Sequence, residues 1–306
     1  MFFVLFLYVF LLKTNNMKYT LPFFLLLFVF ACSSGGENKK ELVYTINATS
    51  SDTINTSESD TINEEFENVK KLFESLPATH DVITVLLDQP GTKYNSAALN
   101  PSKNSIRYTT ISSRAFNIGV YCSDMCYSAL FEQNQTVINY MAVVVKLSED
   151  SGLLRFFDDD DFKNIERNLS DKDAVISIIS DAFYKSDSQL IQNGQPEYVS
   201  HIISGAWIEA MYIACYLSKG KVALNKKLTS NILDQAIGVK SITSFISKYS
   251  EDEYVKNVLE SLKKIEKLTS EMKISKDENG LYYSSPNDFK LLCNTIFDIR
   301  KSYTEL

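Results

Sequence analysis

Glycine and proline are scarce in this chain, at 10 and 6 among 306 residues. β-Sandwiches and barrels consume both at their many turns, so the shortage argues against those classes and in favour of helices. Histidine is scarcer still. The two present, His80 and His201, belong to no HExxH or ExxH pattern, and no GxSxG elbow, P-loop or GxGxxG fingerprint occurs anywhere. No cofactor is therefore indicated and no metal set stands out, although two carboxylates alone suffice to cleave a glycoside. Positive charge is the minority: 31 Lys and Arg against 38 Asp and Glu give −7. Residues 1–31 carry Lys13, Lys18 and no acid, so the remainder has 29 basic and 38 acidic residues, or −9. Such a surface argues against nucleic acid as a partner.

What the chain does have begins at its N-terminus. From Met17 the sequence MKYTLPFFLLLFVFAC gives a basic start, about eleven apolar residues, a small Ala31 and then Cys32, followed at once by SSGG. The apolar region is too short to span a bilayer, which needs roughly 20 residues, and its layout is that of a secretory signal peptide over 1–31. Val29-Phe30-Ala31-Cys32 resembles a bacterial lipobox, with Phe30 a departure from the usual small residue. By that resemblance Cys32 is the acylated first residue of the mature chain, and two or more acyl chains hold firmly at about 0.8 kcal/mol per buried CH2. The preceding run MFFVLFLYVFLL, ended by Lys13, reads as an over-extended start covering 1–16, with a second membrane element as the alternative. Ser33 rather than Asp after Cys32 directs the expectation to the outer membrane, without choosing a face.

Residues 32–61 are rich in Ser, Thr, Asn and charge and poor in large apolar side chains, the composition of a flexible tether. Thirty such residues reach about 30 Å. SDTIN occurs twice, and Asp-Thr-Ile resembles the acceptor signal of a Bacteroidota O-glycosylation system, which would make Thr53 and Thr61 the acceptors; a low-complexity duplication is the alternative.

From residue 62 to the end the apolar period becomes helical. Ile62, Phe66, Val69, Phe73 and Leu76 mark one helix stopped by Pro77, and Thr79 can cap a second that carries Val82, Ile83, Leu86 and Leu87. Residues 92–106 read as an irregular connector. Helices follow over 109–131, over 136–149 with Asn134 as its cap, and over 159–169, 172–192, 196–218, 225–237, 240–249, 252–273 and 286–303. The 252–273 segment is the most amphipathic, with Val255, Leu259, Leu262, Ile265 and Met272 on one side. Short connections predict an all-α domain over 62–306 of antiparallel helical hairpins, packed as a bundle or a short solenoid-like array.

The two most apolar helices echo each other, GVYCSDMCYSAL from Gly119 and GAWIEAMYIACYL from Gly205, too loosely to define a repeat. Each contains one acid, Asp124 or Glu209, among apolar and aromatic side chains, and a charge there must be paired, hydrogen-bonded or neutralised. Helical spacing puts Tyr121 and Ser128 beside Asp124, and Tyr212 beside Glu209. If both helices face one cavity, Asp124 and Glu209 with Tyr121, Tyr127, Trp207 and Tyr212 form an aromatic-walled binding site, or a pair of catalytic carboxylates. The plainer reading is buried acids that fix helix register against Tyr, Lys or Arg. Asp158 to Asp161 lack the spacing and central Gly of a calcium loop and suit the start of a helix near Phe162. Beyond Cys32, Cys122, Cys126, Cys215 and Cys293 allow three disulfide connectivities. A Cys122–Cys126 bond within one helix is awkward, and free buried thiols are the favoured reading.

The stretch from Leu86 to Met141 together with SGAWIEAMYIACYL resembles a group of predominantly helical lipoproteins of the Bacteroidota that has no established activity. The resemblance covers roughly residues 80–220. It implies export, lipidation and helical architecture, and supplies no catalytic residue. The expectation is a lipid-anchored envelope protein that binds or scaffolds an envelope protein, glycan or peptide without catalysis. The alternative is an envelope glycoside or peptide hydrolase using Asp124 and Glu209.

Overall fold

The structure is a computed structural model and describes residues 93–156, 159–220 and 225–306. All of these lie in the second of the chain's two units, Ile54–Leu306. The signal peptide, Cys32, the tether with Thr53 and Thr61, and the two helices expected before Pro90 fall outside the described residues.

Within them the chain is all-α. Eight α-helices run α1 (Ile111–Leu130), α2 (Asn134–Asp150), α3 (Asp159–Arg167), α4 (Lys172–Gln192), α5 (Pro196–Ser218), α6 (Lys226–Ile246), α7 (Glu253–Glu271) and α8 (Pro286–Thr304). Most begin where a side chain can accept the first free N–H groups. Thr110 and Ser113 form a reciprocal capping box on α1, and Asp171, Asn225, Asp252 and Ser285 cap α4, α6, α7 and α8. Pro196 and Pro286 occupy first-turn positions, where their missing N–H costs nothing. No helix among the described residues is long and apolar enough to cross a membrane.

Four local expectations need correction. Asn134 is the first residue of α2 rather than its cap; Gln133 precedes it and makes no side-chain cap bond. The chain reaches α2 through Glu132 in the left-handed region, at φ 55°, where the N–H of Gln133 closes back on the Ser128 carbonyl. The two helices read over 225–237 and 240–249 are one, because α6 continues through Gly238. Burial of Ala236, Val239, Ile242, Phe245 and Ile246 outweighs the roughly 1 kcal/mol that an interior glycine costs. The connector before α1 contains two 3-10 turns, Ser96–Ala98 and Ser102–Arg107. Between α7 and α8 lies a short β-hairpin that was not expected: β1 (Ser275–Lys276) pairs antiparallel with β2 (Tyr282–Tyr283), and the Tyr282 N–H donates to Ser230 on α6.

The helices form a bundle around a central pair, α1 and α5. Both are buried on nearly every side, as expected of helices surrounded by others. α2 folds back on α1, α8 runs along α5, and α6 with α7 packs against α5 from another side. The central pair touches through its glycines. A Cβ on Gly119 would fall on the Ile202 carbonyl and 2.7 Å from the Ala206 nitrogen, and one on Gly205 would fall on the Phe116 carbonyl. With no side chain there, the backbones meet directly, and Ser123 Oγ donates to the Ala206 carbonyl at 2.8 Å. Phe116 of α1 and His201 of α5 both pack on Tyr254, and eight residues further along each helix Asp124 meets Glu209, so α1 and α5 run parallel while the surrounding hairpins are antiparallel.

Candidate functional site

The parallel crossing explains the sequence echo. Asp124 follows Gly119 by five residues and Glu209 follows Gly205 by four, so both acids arrive about one turn past the glycine contact. The two carboxyls lie within hydrogen-bond reach of each other, and neither residue has any exposed surface.

Each acid has a different partner. Glu209 receives both arms of Arg300 from α8, Nε to Oε2 and Nη2 to Oε1, each at 2.9 Å. Such a two-pronged pairing is among the strongest carboxylate contacts available. Asp124 Oδ2 accepts the backbone N–H of Asn100 at 3.1 Å, and no donor faces its Oδ1. Burial, reinforced by the neighbouring Glu209 charge, pushes the Asp124 carboxyl well above the usual range; Arg300 and the Asn100 N–H pull the other way and do not prevail. Burial therefore favours the protonated form of Asp124, and Oδ1 is the oxygen that no donor engages. Burial works against the Arg300 charge, but the Glu209 carboxylate more than offsets it and leaves the guanidinium above its ordinary value. The cluster is a neutral acid, a carboxylate and a guanidinium shared among α1, α5 and α8.

The donors expected from helical spacing are occupied elsewhere. Tyr121 donates its hydroxyl to the Pro101 carbonyl at 3.1 Å, and Ser128 bonds the backbone carbonyl of Asp124 at 2.7 Å instead of its carboxyl. Tyr212 offers its ring face: the Arg300 guanidinium sits 4.3 Å above its centroid. Tyr127 lies farther along α1, where its hydroxyl accepts the Asn95 N–H at 3.0 Å and its ring stacks on Tyr94. Trp207 is buried, with no hydrogen-bond partner for its indole N–H. The structure thus brings Tyr121, Asp124, Glu209 and Tyr212 to one cluster, engages Tyr127 with Asn95 and Tyr94 instead, and encloses the acids in the interior.

Three contributors escaped the sequence reading. Arg300 sits with Cys293, Ile296 and Tyr303 at helical spacing on the buried face of α8, and a charge inside an apolar stripe was the available signal. Asn100 lies in the connector, where nothing local announces that its N–H meets a carboxyl 24 residues away. Tyr108 accepts from Asn100 Nδ2 at 2.9 Å and donates to the Thr304 carbonyl at 3.0 Å, fastening the end of α8 to the connector.

Other buried polar groups lie apart. Asp187 on α4 is fully buried, neither oxygen has a hydrogen-bond partner, and burial pushes its carboxyl well above the usual range. His201 on α5 packs edge-on to Tyr254, and its Nε2 is 3.6 Å from Asp252 Oδ1. Burial lowers it to about 4, against the opposing pull of Asp252. Of the acidic run, Asp161 pairs with Lys185 at 3.1 Å, tying α3 to α4. Among the described residues no three of His, Cys, Asp and Glu converge as a metal set. Cys122, Cys126, Cys215 and Cys293 are all buried and free. Compared with known protein families, with curated proteins and with solved structures, the chain matches none.

Proposed function

We propose that this protein is an exported lipoprotein, acylated at Cys32 and held at the outer membrane of a cell envelope, whose helical body binds or scaffolds an envelope protein, glycan or peptide without catalysis. The anchor rests on the sequence around Cys32. The observation that carries the non-catalytic reading is the enclosure of Asp124 and Glu209: both have no exposed surface and are engaged by each other, by Arg300 and by the Asn100 N–H. Acids arranged this way hold helices in register, because each charge and proton is answered from within the chain.

Two measurements test the proposal. In membrane fractions of cells making the full chain, Cys32→Ala should move the protein from the membrane pellet to the soluble fraction and remove the acyl mass. An unmodified leader on the wild-type chain, or an unchanged distribution for the variant, refutes the anchor. A panel of glycans and peptides incubated with the purified chain should shift its melting temperature for at least one member and yield no cleavage product. Turnover that disappears in Asp124→Asn refutes the non-catalytic reading.

A further inference from the structure

Beyond Arg300, helix α8 continues along α5 in a regular antiparallel ladder. Glu209 meets Arg300 at 2.9 Å, and three residues on, Tyr212 meets Phe297 edge-to-face with centroids 5.3 Å apart. One more step of three residues along α5 reaches Cys215. The matching step of four residues back along α8 reaches Cys293. Helical side chains three and four apart share a face, so the two rungs already seen place these thiols opposite each other. Both residues are buried, at 0 and 1 % exposure, and Cys293 is the neighbouring group that acts on the Cys215 thiol. Cys122 and Cys126 are both on α1 and take no part in this ladder.

We propose that Cys215 and Cys293 are a disulfide site: two facing thiols that join when the chain folds in an oxidising compartment and staple α8 to α5. The two S–H bonds are replaced by one S–S bond, and the two protons and two electrons pass to the disulfide of a thiol oxidoreductase, which becomes its dithiol. Because both thiols are enclosed in the folded chain, the exchange takes place as α8 docks. The bond closes a loop from 215 to 293 and locks the helix that delivers Arg300 to Glu209. The supply of oxidant rests on the export proposed above, since disulfides persist in oxidising compartments; the facing geometry does not.

The experiment has two arms. In the first, the full chain is isolated from membranes in detergent without reductant, denatured, alkylated with iodoacetamide, digested and weighed. In the second, the purified folded chain is reduced, equilibrated in glutathione buffers of rising oxidised fraction, and analysed in the same way with a thermal melt. A linked peptide pair containing Cys215 and Cys293, 2 Da lighter than the sum of its reduced halves, is expected with Cys122 and Cys126 alkylated. Oxidation should raise the melting temperature by about 5 °C or more, a gain absent in Cys215→Ser. Four alkylated thiols in both arms, or a link through Cys122 or Cys126, overturns the assignment. A chain without acylation at Cys32 that forms the link in glutathione keeps the disulfide site and refutes the lipid anchor; an acylated chain that never forms it does the reverse.

Discussion

Replacing Asp124 by Asn and Glu209 by Gln makes the same chemical change at two neighbouring buried acids, yet the expected costs differ several-fold. Glu209 and Arg300 are charged partners at 2.9 Å. With an effective dielectric constant near 20, Coulomb's law gives about 6 kcal/mol of attraction at that spacing, most of it offset by the cost of taking both ions out of water. Glu209→Gln removes the attraction and leaves the Arg300 charge buried, for a loss of about 3–5 kcal/mol. Arg300→Met should cost about the same by stranding Glu209. Burial favours the neutral form of Asp124 in the fold. An amide there still accepts the Asn100 N–H and still offers a donor toward Glu209, so Asp124→Asn should cost less than about 1 kcal/mol. Combining Glu209→Gln with Arg300→Met should cost markedly less than the sum of the single changes, because neither variant then strands a charge. Urea titrations at pH 7 followed by far-UV circular dichroism read these differences as midpoint shifts at constant slope. If Asp124→Asn loses more than about 2 kcal/mol, or Arg300→Met less than about 1, the assignment of the proton to Asp124 and of the charge to the Glu209–Arg300 pair is refuted.

Glycine substitutions separate close helix approach from helix propensity: Gly119→Ala or Gly205→Ala drives a methyl onto facing backbone and should cost about 3 kcal/mol, whereas Gly238→Ala, in open space inside α6, should gain about 0.5–1 kcal/mol. Thermal melts that fail to give opposite signs refute this. The raised carboxyls of Asp124 and Asp187 keep their protons in the fold but lose them near pH 4 when unfolded, so their stabilising effect is complete below pH 4 and is lost as pH rises through the folded values. Each removes up to about 1.4 kcal/mol per pH unit in that window, and Asp187→Asn should therefore gain on the wild type as pH climbs; a pH-independent difference between the two refutes it. His201 works in the opposite sense: held neutral down to about 4 in the fold and titrating near 6.5 when unfolded, it makes the fold lose stability as pH falls from 6.5 to 4. His201→Leu should flatten that limb of the urea-midpoint profile, and an unchanged limb would show the histidine takes no part.

Helix identity and extent were set by the sequence, because the signals are local. The 3.6-residue apolar period and the residues able to cap or stop a helix act within a few positions, and they fixed 172–192 and 196–218 to the residue. They also singled out Asp124 and Glu209 as acids that could not stand alone inside apolar helices. Local signals misled where a long-range contact outweighed them. Gly238 reads as a break until the burial of its neighbours is known, and Asn134 reads as a cap until Glu132 turns the chain one residue early. What answers each acid was decided only by the tertiary structure. Two glycines let α1 and α5 touch backbone to backbone and so align their acids; an arginine 91 residues from Glu209 and a backbone N–H 24 residues from Asp124 then complete the cluster. Sequence periodicity specifies which face of a helix is apolar, but not which helix that face will meet. A buried charge is settled by the group that packing places within 3 Å of it.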